Sequence, residues 1–231
     1  MSAEAGDLTA MYAQTQDAVG RTVSRSAFAA AAADQPNLLS REIDALGTAM
    51  TFPRNRVIFC ERDPAVYLYK VVSGVVRTCR FLADGRRQID SFHFKADIFG
   101  LAAGSEHHLF AEAATHCELI AVKRQALAVA AAQRAELAVA MFDAATDELR
   151  RVSDHVSLLG RTSAAERIMS YLRTLPTERV GDMRAIPISR QDMADYLGLT
   201  IETVSRTMTQ LEETGLIEIV ATRQVRLRSM M

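Results

Sequence analysis

Three side chains in the stretch GLTIETVSRTMTQLEETG, residues 198–215, have the types and spacing to do chemistry together. Glu202, Ser205 and Arg206 stand at i, i+3 and i+4, so a helix would put them on one face. Arg can bind guanine O6 and N7 bidentately, Glu can accept from cytosine N4, and Ser can serve a base edge or a phosphate. A salt-bridged solvent face is the alternative, and the neighbouring elements must decide. Two other sets of reactive groups need weighing. Cys60, Cys79 and Cys117 are far apart and odd in number, with no CxxC pair, which argues against a disulfide framework and a closed zinc site. His93, His107, His108 and His116 fall within 24 residues, but their spacings match no cupin pattern with its following Glu. They read as loop or core histidines, and a cupin-like metalloenzyme is the rival they leave open.

The elements that would position the triad are legible on both sides of it. Ser189 precedes RQDMADYLGL with Asp192 three residues on, a capping-box variant with Asp in place of Glu. Gly198 stands where a helix ends in the left-handed region, and Thr200 can cap the next helix. Met193, Leu197, Leu199, Val204 and Met208 can form a shared core, with small Ala194 where two helices cross and with Ile201 and Leu211 extending the apolar face. LIEIV and QVRLR flank ATR as a hairpin. A short helix, a turn containing Gly, a second helix and a hairpin make a winged helix-turn-helix pattern, in which the N-terminal part of the second helix enters a DNA major groove. Arg206 is then the main specificity residue, and Glu202 and Ser205 read bases beside it. Ser189, Arg190, Gln191, Thr200, Thr203 and Thr209 are candidates for backbone contacts, and Arg223, Arg226 and Arg228 for flanking phosphates.

Upstream, residues 51–122 carry short apolar runs split by Gly, Pro and Asp: RVIFCE, YLYKVVSG, VVRTCRFL, RRQIDSFHF and FAEAATHCELIAV. The Asp84-Gly85 pair marks a hairpin, and the close spacing suggests a barrel or roll. LLSREIDALGTAM before it has helical spacing with Ser40 as a plausible N-cap. Residues 124–160 return to helix. There Phe142, Ala145, Leu149, Val152, Val156 and Leu159 are spaced 3-4-3-4-3, a narrow seam suited to a partner helix and hence to a homodimer. The expected divisions are an extension over 1–36, a roll over 37–123, a dimerisation helix over 124–160 and the DNA-binding unit over 161–231.

The chain of 231 residues has a formal net charge of −1, and its last 71 residues hold ten Arg against nine Asp or Glu. Any nucleic-acid role must therefore rest on placed residues rather than on bulk charge. Free thiols fit a reducing cytoplasm, and no 18-residue apolar run signals a membrane span.

ISRQDMADYLGLTIETVSRTMTQLEETGLI resembles the DNA-binding motif of the CRP/FNR family of bacterial transcription regulators, with a close match to its FNR and FixK branch and with E-x-x-S-R on Glu202, Ser205 and Arg206. LYKVVSGVVRTCRFLADGRRQIDSFHFKADIFG resembles that family's eight-stranded β-roll, the domain that binds cyclic nucleotides in some members. The resemblance implies an α+β fold of roll, long dimerisation helix and C-terminal winged helix-turn-helix. It further implies a homodimer on palindromic, TTGAT-like double-stranded DNA sites, activation through RNA polymerase, and no enzymatic activity. FNR-type sensors hold an iron–sulfur cluster on clustered N-terminal cysteines, whereas residues 1–59 here contain none. Cyclic AMP binding uses a Gly-Glu and an Arg-Ser pair, whereas Gly100-Leu101 and His107-His108 stand here, with no Arg between 88 and 123. The expectation is a regulator without cofactor or metal, like FixK-type proteins that control microaerobic respiration, denitrification and nitrogen fixation. A relative sensing haem or a small molecule in the roll is the alternative.

Overall fold

In the computed structural model, residues 37–102, 104–175, 183–221 and 223–228 are described. The extension expected over 1–36 lies outside the described residues. The described residues open with helix α1, Leu38–Leu46, capped by the Asn37 side chain, which accepts from Ser40 N at 2.8 Å. Ser40 is therefore inside the helix rather than its cap. Its buried hydroxyl accepts instead from Lys70 Nζ, which also pairs with Asp44. The helix stops at Gly47, and the TAM expected to continue it belongs to strand β1, Thr48–Phe52.

Seven further strands complete the roll: β2 Val57–Phe59, β3 Tyr67–Ser73, β4 Val76–Phe81, β5 Arg87–His93, β6 Ile98–Phe99, β7 Phe110–Ala113 and β8 Cys117–Lys123. They form two four-stranded sheets ordered β1-β8-β3-β6 and β2-β7-β4-β5. The FAEAATHCELIAV run is two strands divided between the sheets, not one, with Ala114–His116 turning between them. Alternation sets the layers. Tyr69, Val71, Phe99, Leu119 and Ala121 pack inward against Phe59, Val76, Ala111 and Ala113. Leu68, Ile98 and Val122 face outward under α1. The β4–β5 hairpin turns at Asp84-Gly85 as expected, with Gly85 at φ 82°. Gly74 turns β3 into β4 at φ 86°, and a Cβ there would lie 2.2 Å from the His116 carbonyl oxygen, so only glycine fits.

The helical stretch after the roll is two helices, α2 Arg124–Gln133 and α3 Ala135–Leu159. They break at Arg134, whose extended backbone (φ −137°, ψ 100°) accompanies an ion pair with Glu42 of α1. One row of α3, including Leu137, His155 and Leu158, is buried against its own chain. The adjacent row is the predicted seam. Phe142 is 71% exposed, Leu149 70% and Val156 64%, and Ala145 and Val152 are exposed with them. Val139, one turn earlier, extends the row beyond the residues that the 3-4 spacing marks. Leu159 is half-buried, close to Gly198.

Helix α4, Ala164–Thr174, opens on a Ser163/Glu166 capping box. Then come strand β9 (Met183–Ala185), helix α5 (Arg190–Leu197), helix α6 (Ile201–Glu213) and strands β10 (Ile217–Ala221) and β11 (Gln224–Leu227). The loop expected at PTERVGDMRAIP contains β9, which makes the wing a three-stranded sheet ordered β10-β11-β9. The roll and this last unit share one apolar cluster. Cys79, Ile89 and Phe92, on the outer face of the second sheet, join Met193, Ala194 and Leu197 of α5.

Candidate nucleic-acid interface

Helices α5 and α6 are joined by Gly198, Leu199 and Thr200, and each junction residue has a physical reason. Gly198 adopts φ 64°, ψ 39° and ends α5, its N–H donating to the Ala194 carbonyl. Thr200 caps α6 by accepting from Thr203 N at 3.1 Å. Val204, Met208 and Leu211 turn inward against Met193, Ala194 and Leu197, all buried, with Leu199 packed at the edge. Thr207 completes the inner face. Ile201, assigned from its spacing to that face, is instead 37% exposed and borders Glu202, Ser205 and Arg206.

The outer face of α6 carries Glu202, Ser205, Arg206 and Thr209, all exposed. Among the described residues neither Glu202 nor Arg206 forms an ion pair, although i,i+4 spacing permits one. The salt-bridged solvent face considered as the alternative is thus not what the helix presents. A carboxylate and a guanidinium stand side by side with their hydrogen-bonding capacity unspent, at the N-terminal end of a helix held rigidly from behind.

The predicted backbone-contact residues divide into two kinds. Thr200 is exposed and Thr203 half-buried, and Thr209 Oγ1 donates to the Ser205 carbonyl at 3.2 Å. Arg190 opens α5 half-buried, with Nη1 enclosed and without an acceptor among the described residues. By contrast, Ser189 and Gln191 are engaged within the protein. Ser189 Oγ accepts from Asp192 N at 3.0 Å and donates to Asp192 Oδ2 at 2.7 Å. Gln191 Nε2 donates to Asp195 at 2.7 Å. Of the wing arginines, Arg223 is exposed, while Arg226 and Arg228 both pair with Glu218, at 2.9 and 3.2 Å.

The capping box expected at Ser189 is half-formed. Asp192 N bonds to the Ser189 hydroxyl, but the Asp192 carboxylate does not return to the Ser189 backbone. Its Oδ1 accepts from Arg77 Nη1 at 3.0 Å and from Arg87 Nη2 at 2.7 Å, both on the roll. No local pattern signals these two arginines, which lie 115 and 105 residues away in sequence. The one trace is the shorter Asp where a capping box prefers Glu.

Inside the roll, a cavity of about 270 Å³ is lined by Phe59, Thr78, His93, Phe99, His107 and Glu148, among others. That is below the ~300–1,000 Å³ usual for ligand pockets. No guanidinium lines it, and the Glu148 carboxylate would repel a phosphate, so these residues do not fit a cyclic nucleotide. Three of the four histidines, His93, His107 and His108, line this cavity: His93 stacks on Phe99 with centroids 5.0 Å apart, His107 stacks on Phe59 at 3.6 Å, and His108 is exposed at its edge. His116 is half-buried or exposed elsewhere on the roll and does not line it. Among the described residues no group of three His, Cys, Asp or Glu could hold a metal ion. Cys79 and Cys117 are buried. The Cys117 thiol donates to the Val75 carbonyl, and burial pushes the Cys79 thiol up to about 11, which keeps it protonated and unreactive.

His93 makes the roll sensitive to acid. Burial, reinforced by the Arg151 charge, holds it down to about 3, against 6.5 in an unfolded chain. Between these values the unfolded chain binds the extra proton, so this contribution to stability is complete above pH 6.5 and is lost as pH falls. The limiting slope is about 1.4 kcal/mol per pH unit. Urea unfolding at pH 7, 6 and 5 should show this loss, and His93→Phe should flatten it.

The sequence and structure agree with comparisons to known proteins. Residues 186–217 match the model of bacterial regulatory proteins of the crp family, and residues 49–134 match that of the cyclic nucleotide-binding domain. A nitrogen fixation regulation protein FixK of Azorhizobium caulinodans is 45% identical over 204 residues, covering 85% of this chain and 82% of that protein. FixK of Rhizobium meliloti is 42% identical over 198 residues, covering 81% and 90%. The solved structure of FixK2 from Bradyrhizobium japonicum aligns with a TM-score of 0.75 at 41% identity, covering 80% of this chain and 93% of that one. The chain therefore belongs to the CRP/FNR family, on its FixK-type branch, and is a DNA-binding transcription regulator rather than an enzyme.

Proposed function

We propose that the protein acts as a homodimer on palindromic, TTGAT-like promoter sites, reading bases through Glu202, Ser205 and Arg206. The observation that carries this reading is the exposed, unpaired Glu202–Arg206 ridge at the start of α6, backed by a fully packed helix pair. Thr200, Thr203, Thr209 and Arg190 contact the DNA backbone. Ser189 and Gln191, predicted for the same task, also hold Asp192 and Asp195, and the proposal keeps them as backbone contacts at the start of α5. Arg223 at the wing tip reaches a flanking phosphate.

The homodimer reading rests on the row Val139, Phe142, Ala145, Leu149, Val152 and Val156. Large apolar side chains aligned on 25 residues of helix and left exposed mark an association surface. Two such helices packed in parallel would set the recognition helices on one face of a duplex, about one turn or 34 Å apart. The division into roll, seam helix and DNA-binding unit follows this division of labour. The small, arginine-free cavity supports a regulator that binds DNA without cyclic nucleotide. The absence of haem, iron–sulfur cluster and metal belongs to the same proposal. By analogy with FixK relatives, it activates nitrogen-fixation or microaerobic genes through RNA polymerase, in the cytoplasm.

Selection of bound DNA from a random pool, with and without oxygen, tests the reading. A two-fold symmetric motif in both conditions is expected. An asymmetric motif, or one that appears only with an added ligand, would refute it.

A further inference from the structure

The roll and the DNA-binding unit meet in a buried cluster of charge whose geometry has a use. Arg77 is 5% exposed and Asp192 2% exposed, so their 3.0 Å contact is removed from solvent. Arg77 also donates from Nε to Glu112 at 2.9 Å and from Nη2 to Asn55 at 3.3 Å. Arg87 donates from Nε to Asp195 at 2.8 Å and from Nη2 to Asp192 at 2.7 Å, with Nη1 3.6 Å from Glu112. Two guanidiniums thus hold three carboxylates, two of them on successive turns of one side of α5. Buried ion pairs of this kind contribute little net stability, but they tolerate no misalignment, because displacement strands a charge away from water. They fix orientation more than they hold surfaces together.

Two independent contacts grip the same helix. His155 of α3 stacks on Tyr196 with centroids 4.1 Å apart, and its Nε2 donates to the Tyr196 carbonyl at 2.8 Å. Phe92 of the roll meets the Tyr196 ring from another side at 5.3 Å. By contrast, the covalent link from α3 to the DNA-binding unit is only the segment 160–163 between two helices. Rotation about that link would swing α6, because α5 and α6 share one core.

We propose that Arg77 and Arg87 are positioning residues for DNA binding: by clamping Asp192 and Asp195 they lock α5 to the roll and thereby aim the recognition helix. This rests on the homodimeric, base-reading function above and adds the roll's part in it. A roll whose own arginines hold the DNA-binding unit in place has no need of a ligand to do so.

The test uses the full chain. Arg87→Glu places a fourth carboxylate among Glu112, Asp192 and Asp195. It should weaken binding to the selected DNA site at least ten-fold while leaving the ratio between that site and single-base variants unchanged. Adding Asp195→Arg should restore most of the affinity. Arg87→Gln, a milder change, should weaken binding less and keep the chain folded if the reversal does not. Orientation is read separately, without DNA, from nitroxide labels on Glu213→Cys in a Cys60→Ser background. Spin–spin distances between subunits should be narrow when Arg87 is intact, broad in the Arg87→Glu chain, and narrow again in the double reversal. Unchanged distances or unchanged affinity in both Arg87 variants would overturn the clamp, as would failure of Asp195→Arg to rescue a folded Arg87→Glu chain. Failure of the wild type to select a DNA motif would instead overturn the reading beneath it, and the distances would still judge the clamp.

Discussion

Replacing Arg206 by alanine should abolish discrimination at one base pair of each half-site and leave the fold intact. The guanidinium is exposed and unpaired among the described residues, so its removal strands no partner and opens no cavity. What is lost is a bidentate contact, about 1–3 kcal/mol of discrimination. A two-fold dimer loses it twice, about 2–6 kcal/mol, or ~30-fold to ~10⁴-fold in preference for the guanine-bearing site. Competition against single-base variants measures this position by position. Glu202→Gln should relax a different position, since an amide both donates and accepts where a carboxylate only accepts. Base preferences unmoved by Arg206→Ala would show that the ridge does not read sequence.

Leu149→Glu should convert the protein to monomers. Leu149 is 70% exposed and lies mid-seam, so the substitution costs the folded chain little. In a dimer it sets two carboxylates face to face in an apolar stripe. At ~3 kcal/mol for each charge buried without a partner, dimerisation weakens about 10⁴-fold. Light scattering should report ~25 kDa in place of ~51 kDa, from a chain of 25.4 kDa. Affinity for the full palindrome should fall toward that of a single half-site, with the same bases preferred. A stable dimer of Leu149→Glu would place the subunit contact elsewhere, and the exposed row of α3 would need another partner.

The parts legible in the sequence are those written in local chemistry. Gly198 and Thr200 mark the turn between α5 and α6 because a left-handed residue and a side-chain cap are needed at those points. The 3.6-residue period separates Val204, Met208 and Leu211 from Glu202, Ser205 and Arg206 wherever the helix sits. The exposed apolar row of α3 is legible for the same reason. Elements set by distant partners are not. Arg134 breaks the helical stretch without a Gly or Pro to announce it, beside an ion pair with Glu42. Strands β1 and β6 flank their sheet as short edges, and β9 exists because β11 pairs with it. Ile201 lies on the apolar side of a helical wheel, yet it stays 37% exposed beside Glu202, Ser205 and Arg206. Of the residues bearing on the interface, Arg77 and Arg87 are hidden most completely, since their partners are a hundred positions away.

The sharing of Asp192 between a helix cap and two arginines has a consequence for descent. Glutamate would suit the cap better, and a longer side chain would overrun the guanidiniums. Lineages that keep both roll arginines should therefore keep aspartate, and those that lose one should drift at 192 or 195 as well. Correlated substitution among positions 77, 87, 112, 192 and 195 across relatives would be the evolutionary footprint of that compromise.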